Sequence, residues 1–124
     1  MKILVVDDET DVKALFEQRF RNEIRNKEME FEFAFSGEEA LMYLNTHEQE
    51  AVLILSDINM PGMTGLELLE KIKQNSYTPA PVVMMITAYG DKENYDNAMK
   101  LGADDFLTKP LEFKQLKEKL KSIK

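Results

Sequence analysis

Short runs of uninterrupted apolar residues constrain this chain more than any other feature. Ile3-Leu4-Val5-Val6, Val52-Leu53-Ile54-Leu55 and Val82-Val83-Met84-Met85-Ile86 show no polar alternation. They have the length of strands, and a strand without a polar face must be covered on both sides, as in a parallel sheet between two layers of helices. Residues 2–6, 52–56 and 82–86 are therefore expected as buried strands. Residues 31–35, Phe-Glu-Phe-Ala-Phe, alternate strictly and suit a half-exposed edge strand. A short fifth strand is expected at 104–107.

Helical patterns fill the intervals. Val12, Leu15, Phe16, Phe20 and Ile24 are spaced to line one face of a single helix. Ser36 with Glu39 forms a capping box that opens a helix running through Leu44, and Thr64 with Glu67 forms another before Leu66, Leu68, Leu69 and Ile72. Asp91 can cap a fourth helix, which stops at Gly102, a residue suited to the left-handed C-terminal position. Leu111, Phe113, Leu116, Leu120 and Ile123 mark the last helix. Strand and helix thus alternate five times, which implies a flavodoxin-like (βα)5 doubly wound α/β domain over residues 1–124. The alternating second strand belongs at an edge, favouring the order 2-1-3-4-5.

Composition excludes several chemistries. There is no cysteine, so thiol catalysis, zinc-thiolate sites and disulfides are absent. The single histidine, His47, lies in a polar stretch and cannot build a histidine cluster. A formal net charge of -7 opposes non-specific nucleic-acid binding, which needs a basic surface. The apolar runs are too short to span a bilayer, so a cytoplasmic protein without membrane contact is expected.

The ends of the strands carry the chemistry. Asp7 and Asp8 follow the first, Asp57 the third, Thr87 the fourth and Lys109 the fifth. In an open parallel sheet these ends face one crevice at the switch in strand order. Three converging carboxylates repel one another, so one takes up a proton or a cation sits among them; Asp7 and Asp8 also favour the positive end of the following helix. Mg2+ suits such a set, because it accepts one or two carboxylates and shares a phosphoryl oxygen. The Thr87 hydroxyl and the Lys109 ammonium can donate to oxygens of a phosphoryl group on Asp57.

Four fragments, in this order and spacing, resemble the response-regulator receiver domain of two-component signalling, in the CheY-like superfamily. They are Ile3-Leu4-Val5-Val6-Asp7-Asp8-Glu9, Asp57-Ile58-Asn59-Met60-Pro61-Gly62, Thr87-Ala88 and Gly102-Ala103-Asp104-Asp105-Phe106-Leu107-Thr108-Lys109-Pro110. The resemblance implies that Asp57 is the phosphoacceptor, taking its phosphoryl group from a phosphohistidine on a sensor histidine kinase or a histidine phosphotransfer protein. It implies Mg2+, with Mn2+ as a substitute, held by Asp8, Asp57 and the backbone carbonyl of Asn59, and by Asp7 through water. Thr87 and Lys109 would contact the phosphoryl oxygens, Asn59 and Tyr89 would tune its lifetime, and the Lys109-Pro110 bond would be cis. Thr87 and Phe106 would form the switch, and the fourth helix, strand five and the final helix the output face.

The same likeness implies kinase docking around Leu15 and Pro110–Phe113, and a downstream effector or fused output domain of unknown kind. The receiver would be monomeric or dimerise on phosphorylation, and would promote its own phosphorylation and slow dephosphorylation without turning over a separate substrate. Two other functions compete. In a stand-alone phosphatase with an aspartyl nucleophile, Asp57-Ile58-Asn59 would stand for Asp-x-Asp, but Asn59 replaces the second acid. A phosphate-independent interaction module of the same fold would lack an acceptor or a metal ligand, and none is missing.

Overall fold

Side-chain parity in the central strands divides the core into two layers. Ile3, Val5, Leu53, Leu55, Met84 and Ile86 enter one cluster, and Leu4, Val6, Val52, Ile54, Val83 and Met85 enter the other. Successive residues of a strand point to opposite faces, so an all-apolar strand feeds both. The computed structural model describes residues 1–47, 50, 52–75, 77, 79–88 and 92–123. The strands are β1 (Lys2–Val6), β2 (Glu30–Ala34), β3 (Val52–Asp57), β4 (Val82–Ala88) and β5 (Asp105–Lys109), all parallel, in the order β2-β1-β3-β4-β5. Fold class and strand order agree with the sequence reading.

Six helices are seen among the described residues: α1 (Asp11–Arg19), α2 (Arg21–Arg25), α3 (Gly37–Thr46), α4 (Gly65–Asn75), α5 (Lys92–Lys100) and α6 (Phe113–Ser122). Residues of α3, α4 and α5 supply the helical side of one cluster, and residues of α1 and α6 that of the other. The Thr64–Glu67 capping box forms in full, and the Ser36–Glu39 box forms in altered form. The Glu39 N–H donates to Ser36 Oγ at 3.1 Å, while Glu39 Oε1 accepts from the N–H of Phe35, one residue before the cap, at 3.2 Å. Thr64 and Glu67 exchange both bonds, at 3.1 and 3.2 Å. Gly102 takes the left-handed conformation at φ 98°. The Asp91 cap lies outside the described residues.

The single helix expected over Val12–Ile24 is instead two, and Phe20 is the reason. Its backbone leaves the helical region, at φ -107° and ψ 22°, while its ring is buried against Phe16, Phe31 and Phe113 at centroid distances of 5.7, 4.9 and 6.0 Å. Burial of an aromatic side chain stabilises by about 2–3 kcal/mol, enough to offset a local loss of helical geometry. The ladder survives the bend, since Phe20 N–H donates to Phe16 O and Ile24 N–H to Phe20 O, both at 2.9 Å. Beyond it Glu23 turns inward and meets Lys117 and Lys121 of α6 at 3.5 and 3.9 Å.

Phe16 sits at the centre of this aromatic cluster, within 5.4–6.3 Å of Phe20, Phe31, Phe33 and Phe113. Phe16→Ala is expected to lower the unfolding free energy by about 3–5 kcal/mol, as buried Phe truncations do, in urea titrations followed by circular dichroism. Leu15→Ala, at a 40% exposed neighbour, should stay within about 0.5 kcal/mol.

Candidate functional site

The parallel register brings the strand ends together. Asp57 is the last residue of β3 and pairs with Ile86 on β4; Thr87 lies one residue further along, opposite Thr108, and Ala88 pairs with Lys109. Asp7 and Asp8 follow β1, the other neighbour of β3. Carboxylate oxygens of Asp7, Asp8 and Asp57 all lie within 4.8 Å of one another. Asp57 is 4% exposed and Asp7 9%, whereas Asp8 is open to solvent. Lys109 Nζ donates to Asp57 Oδ2 at 3.0 Å and stands 4.0 Å from Asp7 Oδ2.

The second oxygens of the two buried acids have local donors. Asp57 Oδ1 accepts from Asn59 N–H at 3.3 Å, and Asp7 Oδ1 from Glu9 N–H at 3.0 Å. Three carboxylates against one ammonium still leave the pocket negative. Burial raises the Asp7 carboxyl above its ordinary value; the Glu9 N–H opposes this, the Asp57 charge adds to it and Lys109 pulls it back. Burial pulls Lys109 down, but the hydrogen bond to Asp57 and the charges of Asp57, Asp7 and Glu9 more than reverse this and leave it raised.

Thr87 is 0% exposed, and its Oγ1 finds no hydrogen-bond partner among the described residues. A buried hydroxyl left unpaired costs about 1–3 kcal/mol, so this atom marks where a further oxygen would be welcome. The donor set also fits a hard cation: carboxylates of the required number, close together, one exposed to water and two buried. The cluster can therefore hold a divalent metal ion. The peptide bond between Lys109 and Pro110 is cis.

Phe106, on β5, is partly buried and packs edge-on against Tyr95 of α5, with centroids 4.9 Å apart and planes at 81°. Asn59 is exposed, in the loop after Asp57. Tyr89 lies outside the described residues. The sequence reading passed over Gly65, the first residue of α4. A Cβ there would run into the Asp57 carbonyl oxygen and come within 2.7 Å of Ile58 Cα, so the helix approaches the acid's own backbone as only glycine permits. A glycine directly after the cap Thr64, where a better helix former would be usual, was the available signal.

Residues 3–121 match the family described as the response regulator receiver domain. The chain belongs to this family. Its relatives include a chemotaxis protein CheY homolog from Campylobacter jejuni, 35% identical over 99% of this chain and 92% of its own length. The response regulator RppA of a Synechocystis species is 34% identical over 99% of this chain. Among solved structures, the response regulator TrrA from Thermotoga maritima in complex with magnesium and beryllofluoride superposes with a TM-score of 0.77. It is 31% identical, and the match covers 99% of this chain and 98% of that one. The receiver spans half the length of RppA and half that of a Pseudomonas aeruginosa phosphate regulon regulator. No helix among the described residues is long and apolar enough to cross a membrane.

The raised Asp7 carboxyl has a consequence for stability. The native state holds that proton more tightly than the unfolded chain. Asp7's own contribution to stability is therefore fully present below the ordinary value of 3.8 and is lost as pH rises through the raised native value. Asp7→Asn keeps an acceptor for Glu9 N–H but removes the charge. In metal-free buffer at pH 7 the variant should melt above the wild-type receiver, by roughly 4 °C for each kcal/mol recovered, and the gap should close toward pH 4. Added Mg2+ should narrow the gap at pH 7 by stabilising the wild-type site more.

Proposed function

We propose that this receiver accepts a phosphoryl group on Asp57 from a phosphohistidine, with Mg2+ or Mn2+ bound beside it. The observation that carries this is the buried Asp57 carboxylate, held by Lys109 at 3.0 Å among two further acids, with the unpartnered Thr87 hydroxyl one register step away. Asp8, Asp57 and the Asn59 carbonyl would hold the metal, and Asp7 would act through a metal-bound water. Once bound, the ion offsets the repulsion between the acid and an anionic phosphoryl group. An Asp57 oxygen then attacks phosphorus as the P–N bond to the imidazole breaks. Lys109 and Thr87 receive the phosphoryl oxygens, and the chain contributes position and charge rather than acid–base chemistry. The relative crystallised with magnesium and beryllofluoride supports the pairing of a cation with a phosphoryl mimic in this fold.

The donor's path is a groove of about 1100 Å³ between α1 and the start of α6, lined by Asp7, Leu15, Arg19, Lys109, Pro110 and Phe113 among others. It adjoins the acids at one end and presents the exposed Leu15 along its side. That suits a kinase or phosphotransfer protein carrying the histidine on a partly apolar surface.

Receiver domains are in general phosphoacceptors rather than multiple-turnover enzymes, and for this chain we propose the same, with Asn59 and Tyr89 tuning slow self-dephosphorylation. Output would pass through Thr87 and Phe106. Drawn to the phosphoryl group, Thr87 would vacate space into which Phe106 turns, altering the face of α5, β5 and α6 read by an effector, a fused output domain or a second receiver. Residues 1–124 would act as one such unit.

Incubation with Mg2+ and acetyl phosphate should add the mass of one phosphoryl group to the intact protein, and Asp57→Asn should abolish the gain. Thr87→Ala and Lys109→Ala, each removing one donor to the transferring group, should slow uptake by about 10²-fold. Turnover of a simple phosphate ester should not exceed the rate of self-dephosphorylation; sustained turnover would favour the phosphatase. In a complex with beryllofluoride the Phe106 ring should leave its contact with Tyr95, and an unmoved ring would remove Phe106 from the switch.

A further inference from the structure

The first turn of α3 is built against the loop that follows Asp57, with no room for a side chain at the point of contact. Gly37, the first residue of α3, is buried. A Cβ added to it would stand 2.6 Å from Met63 Sδ, 2.9 Å from Cγ and 3.0 Å from Cβ. The thioether end of a methionine can swing aside, but its Cβ is bonded to the loop backbone. A larger residue at 37 therefore requires the Met63 side chain to turn away and its Cβ to give by a few tenths of an ångström, which presses on the loop backbone.

Both ends of that loop are already anchored. Ile58 N–H donates to Ile86 O at 3.0 Å, and Gly65 N–H to Ile58 O at 2.9 Å. The Thr64–Glu67 box fixes the entry to α4. Asn59 lies in the span between, exposed, and its N–H reaches Asp57 Oδ1 at the long distance of 3.3 Å. On its other side the span has Met63, partly buried against the core, resting on the bare backbone of Gly37. The helix carrying Gly37 is held in turn by its capping box and by buried Ala40 and Leu44.

Resting on the receiver reading, we propose that the seat of Met63 on Gly37 is a positioning contact that sets the depth of this loop and so places the Asn59 carbonyl for the cation. Neither residue touches the metal or the phosphoryl group. Small displacements of supporting groups are costly where several ligands must converge on one ion.

The test is a double-mutant cycle read by Mg2+ affinity, taken from magnesium-dependent thermal stabilisation of the whole chain. Alanine is the better helix former, so Gly37→Ala acting on α3 alone would raise Tm and leave the affinity unchanged. The proposal expects the substitution to weaken Mg2+ binding about 3- to 10-fold with Met63 present, and less than about 2-fold in a Met63→Ala background. An unchanged affinity, or an equal loss in both backgrounds, would overturn it. Should Gly37→Ala not fold, Met63→Ala removes the same contact from the loop side. It should weaken binding by itself, and full affinity in that variant would be equally fatal to the proposal. If the wild-type chain shows no Mg2+ response, the receiver reading fails first; a normal wild-type response with indifferent variants sinks the positioning role alone.

Discussion

The ion pair between Lys109 and Asp57 joins two strands that are not neighbours. β3 and β5 are separated by β4, and the 3.0 Å contact exists only because all three run parallel and end at nearly the same height. A one-residue slip of β5 against β4 would turn Lys109 to the other face of the sheet. The pair also answers an electrostatic problem. Asp57 is 4% exposed beside two other acids, and a buried charge is tolerated when it is paired and hydrogen-bonded. Sheet order, register and the charge state of the pocket therefore depend on one another.

That dependence reaches the far side of the fold through α6. Its lysines suggest a free cationic surface, yet Lys119 is 2.8 Å from Asp105 of β5, and Lys117 and Lys121 share Glu23 of α2. Asp105 meanwhile accepts from the N–H of Phe106 at 2.7 Å. The helix proposed to report the state of the site is thus tied to the strand that carries Phe106. These surface and half-buried pairs contribute less to stability than to geometry. They tie α6 to β5 through Lys119 and to α2 through Lys117 and Lys121.

The sheet and the convergence of its strand ends were legible in the sequence because both follow from strict patterns. Parity of apolar residues reveals burial on both faces, and the strand ends reveal which polar groups share a crevice. The division of the first helix was not legible: Phe20 keeps the i, i+4 spacing with Phe16 and Ile24 that one straight helix would show, and only its burial under Phe31 and Phe113 bends the chain. Pairing of the α6 lysines was hidden for the same reason, since Glu23 turns inward only after that bend. Gly37 and Gly65 were visible as residues but not as contacts. Close approach to a glycine, by the Met63 side chain at Gly37 and by the Asp57–Ile58 backbone at Gly65, leaves no periodic mark, so a glycine after a cap signals a tight contact without naming its partner.

A switch requires that the added group interact differently with two states of the protein, and a ligand binding both equally shifts nothing. Thr87 offers a physical source for that difference. Its hydroxyl is buried and unpartnered among the described residues, and a buried hydroxyl without a partner costs about 1–3 kcal/mol. On the proposed function, an acceptor arriving on Asp57 removes that cost only if Thr87 moves to meet it. The gain therefore belongs to the shifted state and is of the size that separates two populated conformations. Phe106 lies one residue back along the neighbouring strand from the register partner of Ile86, and partly buried rather than locked in the core. Its contact with the exposed Tyr95 leaves it less enclosed than Phe16 or Phe20, so on the proposed function it is the aromatic side chain freest to answer a shift of Thr87.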